Sequence, residues 1–265
     1  MSWPTSEILT WLLVPAGFIT GMVNVVAGGG SFLSLPLLLA TGLPADIANG
    51  TNRMAIMVQA VVAGTAYGSE GKLDWRLFRR LLPPLLVGAI GGALLATWMD
   101  PTKLSFTFGV LFLATGGWLL WRDLSGARRG EQSNPAERAS EAPHAPIAGK
   151  AWKEPALLFL IGIYGGFLQA GVALFILLVC VRLFGESPLR MNAVKLPLVM
   201  TFTVPSFLIF IGAGQVAWWP GLLLASGSVA GSLLGVRLTM ARGPTFIMRA
   251  AMVVLLITGV ALVWP

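Results

Sequence analysis

Charge is scarce in this 265-residue chain: Asp, Glu, Lys and Arg together make up 11% of it, less than half the share a soluble domain uses to cover its surface. Cysteine occurs once, as Cys180 inside an apolar run, so no internal disulfide can form and a buried small hydrophobe is expected there. The one histidine, His144, lies in a Pro/Ala/Glu stretch without ligand partners, and neither a metal nor another cofactor is expected. Acidic residues avoid the apolar runs. Glu7, Asp46, Glu70, Asp74, Asp100 and Glu186 fall near their ends, and the remaining acids lie in or beside one polar stretch. A carboxylate proton relay therefore lacks its residue, and a membrane-embedded lipid or prenyl transferase lacks its acid clusters, metal or histidine, so no enzyme is expected. Met1–Thr10 carries no cationic n-region, and no cleavable leader is expected. Together these absences exclude a soluble enzyme, a disordered chain and a disulfide-stapled secreted domain.

What the chain does contain is apolar: 56% of its residues are hydrophobic and its mean hydropathy is +0.80. Uncharged stretches of about twenty residues recur from end to end, the bilayer-spanning signature. The net charge of +7 does not point to nucleic acid, because no basic helix or aromatic-interleaved basic patch lies outside the apolar segments. The cations fall mostly in short loops, where orientation in the bilayer accounts for them.

Shifting the second half by 143 residues superposes a series of special residues. Gly42 meets Gly185, Asn49 meets Asn192, Gly71 meets Gly214, Trp75 meets Trp218, and Gly88 and Gly92 meet Gly231 and Gly235. Pro101–Thr102 meets Pro244–Thr245, and Thr115–Gly116 meets Thr258–Gly259. Upstream, Gly17 and Gly21 match Gly162 and Gly166 at an offset of 145. The chain thus reads as two units, Glu7–Trp121 and Trp152–Trp264, joined by a polar linker, Arg122–Ala151, too polar to bury a core.

Each unit contains an apolar stretch broken by glycine, then three full spans. The broken stretches are Ile8–Ala40, interrupted at Ala27–Gly28–Gly29–Gly30, and Pro155–Leu183, interrupted at Gln169–Ala170–Gly171. The first is long for one crossing and short for two, which predicts a hairpin of two half-helices that enters the membrane and returns. The spans are Ile47–Tyr67, Leu77–Trp98 and Leu104–Trp121, then Met191–Gly212, Pro220–Met240 and Phe246–Val263. Equivalent loops carry opposite charge bias. Lys72, Arg76, Arg79 and Arg80 crowd one loop whose counterpart, Ala213–Pro220, has none, whereas Thr41–Asp46 lacks the cations that Arg182 and Arg190 supply to its partner. By the positive-inside rule the two units are inverted, with a cytoplasmic linker and both termini outside. Of the 18 Lys and Arg, all but Arg53, Lys103 and Lys195 then face the cytoplasm. Tryptophans at segment ends suit interfacial belts, and Gly-xxx-Gly spacings at Gly17, Gly88, Gly162 and Gly227 suit close helix packing. The expected class is an all-α, polytopic helical membrane protein of two inverted repeats.

Inverted repeats with broken helices bind substrate near the midplane where the repeats meet. Two features locate a candidate site. At Gly28, Gly29, Gly30 and Ser31 a half-helix begins, and its free N–H groups and dipole suit an anion; a Gly-rich packing hinge is the plainer alternative. Arg53 and Lys195 stand about seven residues into the first full span of each unit, where a cation costs on the order of 2.5–3.5 kcal/mol unless it snorkels. Around them lie Asn49, Thr51, Asn52 and Asn192, with Asn24 and Gln169 at the two breaks. The two cations have no protein counter-ion in the sequence pattern, and a small anion could supply it. The bilayer and that anion are the partners expected, and association with further copies of the chain is left open. An anion channel would share the site but needs a continuous pore.

The run Ala27–Gly28–Gly29–Gly30–Ser31 followed by Leu35–Pro36, then Ala48–Asn49–Gly50–Thr51–Asn52–Arg53, resembles the first block of the sulfite exporter TauE/SafE family, also called the toluene sulfonate uptake permeases. Asn192–Ala193–Val194–Lys195–Leu196 resembles its second-repeat counterpart. The resemblance implies a bacterial-type inner-membrane transporter, an exporter of small sulfur-containing anions: sulfite, thiosulfate or organosulfonates. Gln169–Ala170–Gly171 departs from the triple glycine of the first unit, which implies two unequal half-sites.

Overall fold

The computed structural model describes residues 10–27, 30–68, 74–128, 153–186, 188–239 and Val260. Among them lie nine helices: α1 Leu13–Ala27, α2 Ser31–Ala40, α3 Ala45–Gly68, α4 Trp75–Trp98, α5 Pro101–Arg128, α6 Lys153–Phe167, α7 Val172–Phe184, α8 Pro188–Gly212 and α9 Trp218–Thr239. No strand occurs among the described residues. The acids expected at segment ends start helices. The Asp74 carboxylate accepts from the Arg76 and Leu77 amides at the head of α4, and Asp100 accepts from Thr102 and Lys103 at the head of α5, each satisfying amides that a helix N-terminus leaves orphaned.

The two broken stretches are each a pair of short helices, α1 with α2 and α6 with α7. Two differences from the sequence expectation stand out. First, α5 continues through Arg128, so the opening residues of the expected linker extend a helix; the rest of the linker, Gly28, Gly29 and the expected last span Phe246–Val263, apart from Val260, lie outside the described residues. Second, among the described residues only α4 is both long and apolar enough to cross a bilayer by composition, although α3, α5, α8 and α9 are also long enough, at 22 residues or more. The reason is visible in α3. Asn49, Thr51, Asn52, Arg53 and Gln59 are all buried, so inward-facing polar groups dilute the hydropathy of a helix whose exterior is apolar. Leu160, Val87, Leu95, Leu208 and Leu222 are exposed on the outer faces of α6, α4, α8 and α9. The exposed tryptophans Trp75, Trp98, Trp218 and Trp219 sit at helix ends, the placement that interfaces favour, whereas Trp118 and Trp121 lie inside α5 because that helix continues to Arg128.

Glycine spacing sets the two most extensive helix contacts, α1 with α9 and α4 with α6. A Cβ on Gly17 or Gly21 would collide with the α9 backbone at Leu224 and Ser228, and one on Gly227 or Gly231 with the α1 backbone at Val14 and Phe18. Likewise Gly88 and Gly92 face the α6 backbone at Phe159 and Ile163, while Gly162 and Gly166 face Leu85 and Ala89 of α4. The 143-residue shift turns one of these pairs into the other. The next pairs, α9 with α3 and α8 with α4, exchange in the same way. Each expected unit therefore packs its first half-helix on the other unit's second full span. Cys180 is buried within one apolar cluster with Leu85, Ile176 and Phe202, as a small hydrophobe.

Candidate functional site

A half-helix that ends inside a membrane protein leaves its last four carbonyls without helical partners. For α6 these are Tyr164, Gly165, Gly166 and Phe167, and each has an acceptor role elsewhere. Tyr164 O takes the amides of Leu168, at 2.8 Å, and Gln169, at 3.2 Å. Arg53 Nη1 donates to Gly165 O at 3.2 Å, and Nη2 donates to Gly166 O. Asn49 Nδ2 donates to Phe167 O at 2.7 Å. Asn49 and Arg53 are four residues apart on α3, hence on one face, so a single face of the first unit closes the broken helix of the second. The guanidinium also meets the negative end of the α6 dipole and lies 4.7 Å from the ring centroid of Phe210 on α8. Arg53 is fully buried. Its side chain turns inward to the hairpin, which removes snorkelling as its explanation.

Gln169 holds the tip of this hairpin. It is 2% exposed and adopts the left-handed region at φ 66°, a conformation that costs a non-glycine residue on the order of 1–2 kcal/mol. Gly171 beside it has φ 71° at no such cost. Gln169 Oε1 accepts from Arg53 Nη1 at 2.9 Å, and Nε2 donates to Thr203 Oγ1 of α8 at 2.6 Å. The amide orientation follows from its partners, because arginine only donates and the Thr203 hydroxyl spends its proton on Val199 O at 2.6 Å. Tyr164 Oη donates to Ala170 O at 2.6 Å, tying the tip back to α6.

The first break is built from its own unit. Asn24 Oδ1 accepts from the Gly30 amide at 3.3 Å, and Asn24 Nδ2 donates to Gln59 Oε1 of α3 at 3.3 Å. Gly30 is right-handed at φ −57°, and Ser31, the first residue of α2, is buried. Ser34 Oγ on α2 donates to Asn52 Oδ1 at 2.5 Å. Asn24 and Gln169 occupy equivalent positions at the 145 offset, yet their amides have unrelated partners.

The structure thus brings Arg53, Asn49 and Gln169 together at the second hairpin, and Asn24, Gly30, Ser31 and Asn52 at the first. Thr51 points elsewhere: its hydroxyl accepts from the Ala217 amide at 2.9 Å, fastening the start of α9. Lys195 lies on α8, half-buried, and Asn192 is on the same helix with its side chain outside the described set. Sequence reasoning did not single out Gln59, Thr203, Phe210 or the α6 carbonyls. Gln59 had a signal, as a lone amide deep in an apolar run; Thr203 and Phe210 have none among similar neighbours, and backbone acceptors leave no trace in side-chain identity.

The site has unfilled capacity. Arg53 Nε, Asn52 Nδ2 and Asn49 Oδ1 are buried without hydrogen-bond partners. Among the described residues the recorded ion pairs are those of Arg80 with Glu154 and Glu186, so the charge of Arg53 faces carbonyl dipoles and no carboxylate. No cluster of metal-ligating side chains occurs among the described residues.

The profile of the sulfite exporter TauE/SafE family matches residues 13–262. The chain belongs to the TauE/SafE sulfite exporter family. Its relatives include a probable membrane transporter protein of Haemophilus influenzae, 27% identical over 236 residues that cover 89% of this chain and 87% of the relative. A probable membrane transporter protein of a Sinorhizobium species is 29% identical, covering 91% and 87%. YfcA of Escherichia coli K12, another probable membrane transporter protein, is 27% identical, covering 91% and 85%. No solved structure matches the chain significantly. Membership of TauE/SafE makes this a membrane protein of a transporter family.

Proposed function

We propose that this TauE/SafE protein is a secondary carrier that moves a small sulfur-containing anion, such as sulfite, thiosulfate or an organosulfonate, outward across a bacterial inner membrane by alternating access. The observation that carries the reading is Arg53: a fully buried cation, fixed at the end of a broken helix, with an unused Nε–H and no carboxylate against it among the described residues. Asn52 Nδ2 adds a second buried donor without an acceptor on the same turn of α3. An oxyanion supplies what both lack: negative charge and acceptor oxygens. In this scheme Arg53 and Lys195 neutralise the anion, and Asn49, Asn52, Asn192 and Asn24 orient its oxygens or hold the groups that do. The backbone of Gly28, Gly29, Gly30 and Ser31 closes over it from the first break.

The architecture proposed is two inverted repeats, 7–121 and 152–264, joined through a cytoplasmic segment at 122–151. The reciprocal contacts of α1 with α9 and α4 with α6 support it. So does the grouping of ends: Arg80 pairs with Glu154 and Glu186, joining three ends that the charge rule assigns to the cytoplasm, while Gln215 Nε2 donates to Thr97 O among those assigned outside. Complete occlusion of Arg53 favours a carrier over a channel, which needs a continuous pore. For export, an inside-negative potential contributes about 2.3 kcal/mol per charge per 100 mV, which drives a monoanion out without a carboxylate relay.

The test is flux in proteoliposomes with sulfite, sulfate, thiosulfate and small sulfonates. Saturable flux of sulfur anions, lost in Arg53→Ala and at least roughly tenfold reduced in Lys195→Ala, is the expected result. Unchanged flux in both folded variants would sink the assignment.

A further inference from the structure

We infer that Gln169 is an internal stand-in for the transported anion: its amide oxygen occupies on Arg53 the position that a substrate oxygen takes when the carrier is loaded. The inference rests on the anion-site reading above and adds how the empty site is kept closed.

Three observations point the same way. The Gln169 oxygen sits 2.9 Å from Arg53 Nη1 in a fully buried environment, which is how an anion oxygen would engage the same donor. Its placement comes with backbone strain at φ 66°, although a glycine would meet the turn without strain, as Gly171 does two residues on. Strain of this kind persists where the side chain is needed at that spot. Finally, every other partner of Arg53 is main chain or ring: Gly165 O, Gly166 O and Phe210. Gln169 is the one hydrogen-bond partner that can leave by a rotamer change while α6 stays capped.

The physical logic is an exchange of acceptors. A buried guanidinium cannot be left bare between transport cycles, and a carboxylate there would hold it too tightly for a weakly basic anion to displace. A neutral amide is the intermediate choice. It satisfies Nη1 in the empty state, yet a charged oxygen forms the stronger, charge-assisted bond and wins the exchange. Releasing Gln169 also frees its hold on Thr203, so loading the site loosens the link between the second hairpin and α8. Substrate binding and hairpin movement are thereby one event.

The experiment is equilibrium binding of sulfite and of methanesulfonate to purified full-length protein, for the parent, Arg53→Ala, Gln169→Gly and Gln169→Glu. Gln169→Gly suits the left-handed turn and keeps it foldable; monodispersity in detergent checks each variant. The stand-in predicts that Gln169→Gly binds about 3- to 10-fold more tightly, as a competing neutral hydrogen bond is removed. Gln169→Glu, which makes the competitor charged, should bind at least roughly tenfold more weakly. Loss of binding in Arg53→Ala together with unchanged or weaker binding in Gln169→Gly overturns the stand-in and leaves the anion site standing. Binding by the parent that Arg53→Ala does not change removes the anion site, and the stand-in with it.

Discussion

At the second break of the chain, two side chains of the opposite unit, Arg53 and Asn49, take three of the four orphan carbonyls of α6, and the tip is a strained Gln169 wedged between α3 and α8. At the first break the hydrogen bonds come from the same unit, Asn24 with the Gly30 amide and with Gln59 at 3.3 Å each and Ser34 with Asn52 at 2.5 Å, and Gly30 is unstrained. The Arg53 position is Leu196 in the second unit, and Gln59 corresponds to Phe202. The two hairpins thus differ in chemistry while their helix packing is equivalent. Interfaces built on glycine tolerate little change, because a Cβ there meets backbone, whereas hydrogen-bonding tips can be rebuilt one side chain at a time.

The comparison is most easily broken at Arg53. Arg53→Ala strands the carbonyls of Gly165 and Gly166 and the Gln169 amide in a dry site, and is expected to cost at least about 3 kcal/mol, read as a lowered Tm in detergent. Arg53→Lys keeps the charge but not the fork that reaches two successive carbonyls, and should recover only part of the loss. If Arg53→Ala unfolds no earlier than the parent, the second break is not held from the opposite unit.

The equivalence of the packing is tested next. Gly166→Ala sets a methyl against Ala89 of α4, and Gly21→Ala, at the equivalent position of the first unit, sets one against Ser228 of α9. Each is expected to lose about 1–3 kcal/mol, and the two losses should match within experimental error. Gly91→Ala, which faces open space on the same α4 helix, should be neutral or gain up to about 1 kcal/mol. Unequal losses would show that the two interfaces are equivalent in form only.

A smaller contrast separates the caps. Asn49→Ala removes a 2.7 Å bond to a buried helix end and should cost about 1–2 kcal/mol, whereas Asn24→Ala, with two longer bonds, should cost about half as much. The smallest effect is expected at the rim. Arg80 bridges Glu154 and Glu186 from an exposed position, so Arg80→Ala should change stability by about 0.2–1 kcal/mol. High salt should erase that difference.

Much of this was legible in the residues. The 143-residue shift, the half-helix breaks at Ala27–Gly30 and Gln169–Gly171, and the pairing glycines all lie in local pattern, because helix period, glycine and apolar length are properties of neighbouring residues. Arg53, Asn49 and Gln169 were recognisable as polar residues in the wrong solvent. Their partnership was not. Arg53 could equally have snorkelled, faced lipid headgroups or met Lys195 across a cavity, and the choice among these depends on which helix end lies 112 to 116 residues away. Thr51 shows the converse: adjacent to Asn52 and identical in promise, it faces α9 because one residue is 100° of helix rotation.

From the amino-acid order alone came an apolar, twice-written helical chain with two misplaced cations and no acids beside them. Tertiary structure alone decided that the arginine of one unit closes the broken helix of the other and that a strained glutamine holds its free face. The reason is physical. Burial and periodicity act through each residue's own side chain, but the acceptors that fix Arg53 are carbonyls, which every residue carries and which only folding leaves unpaired.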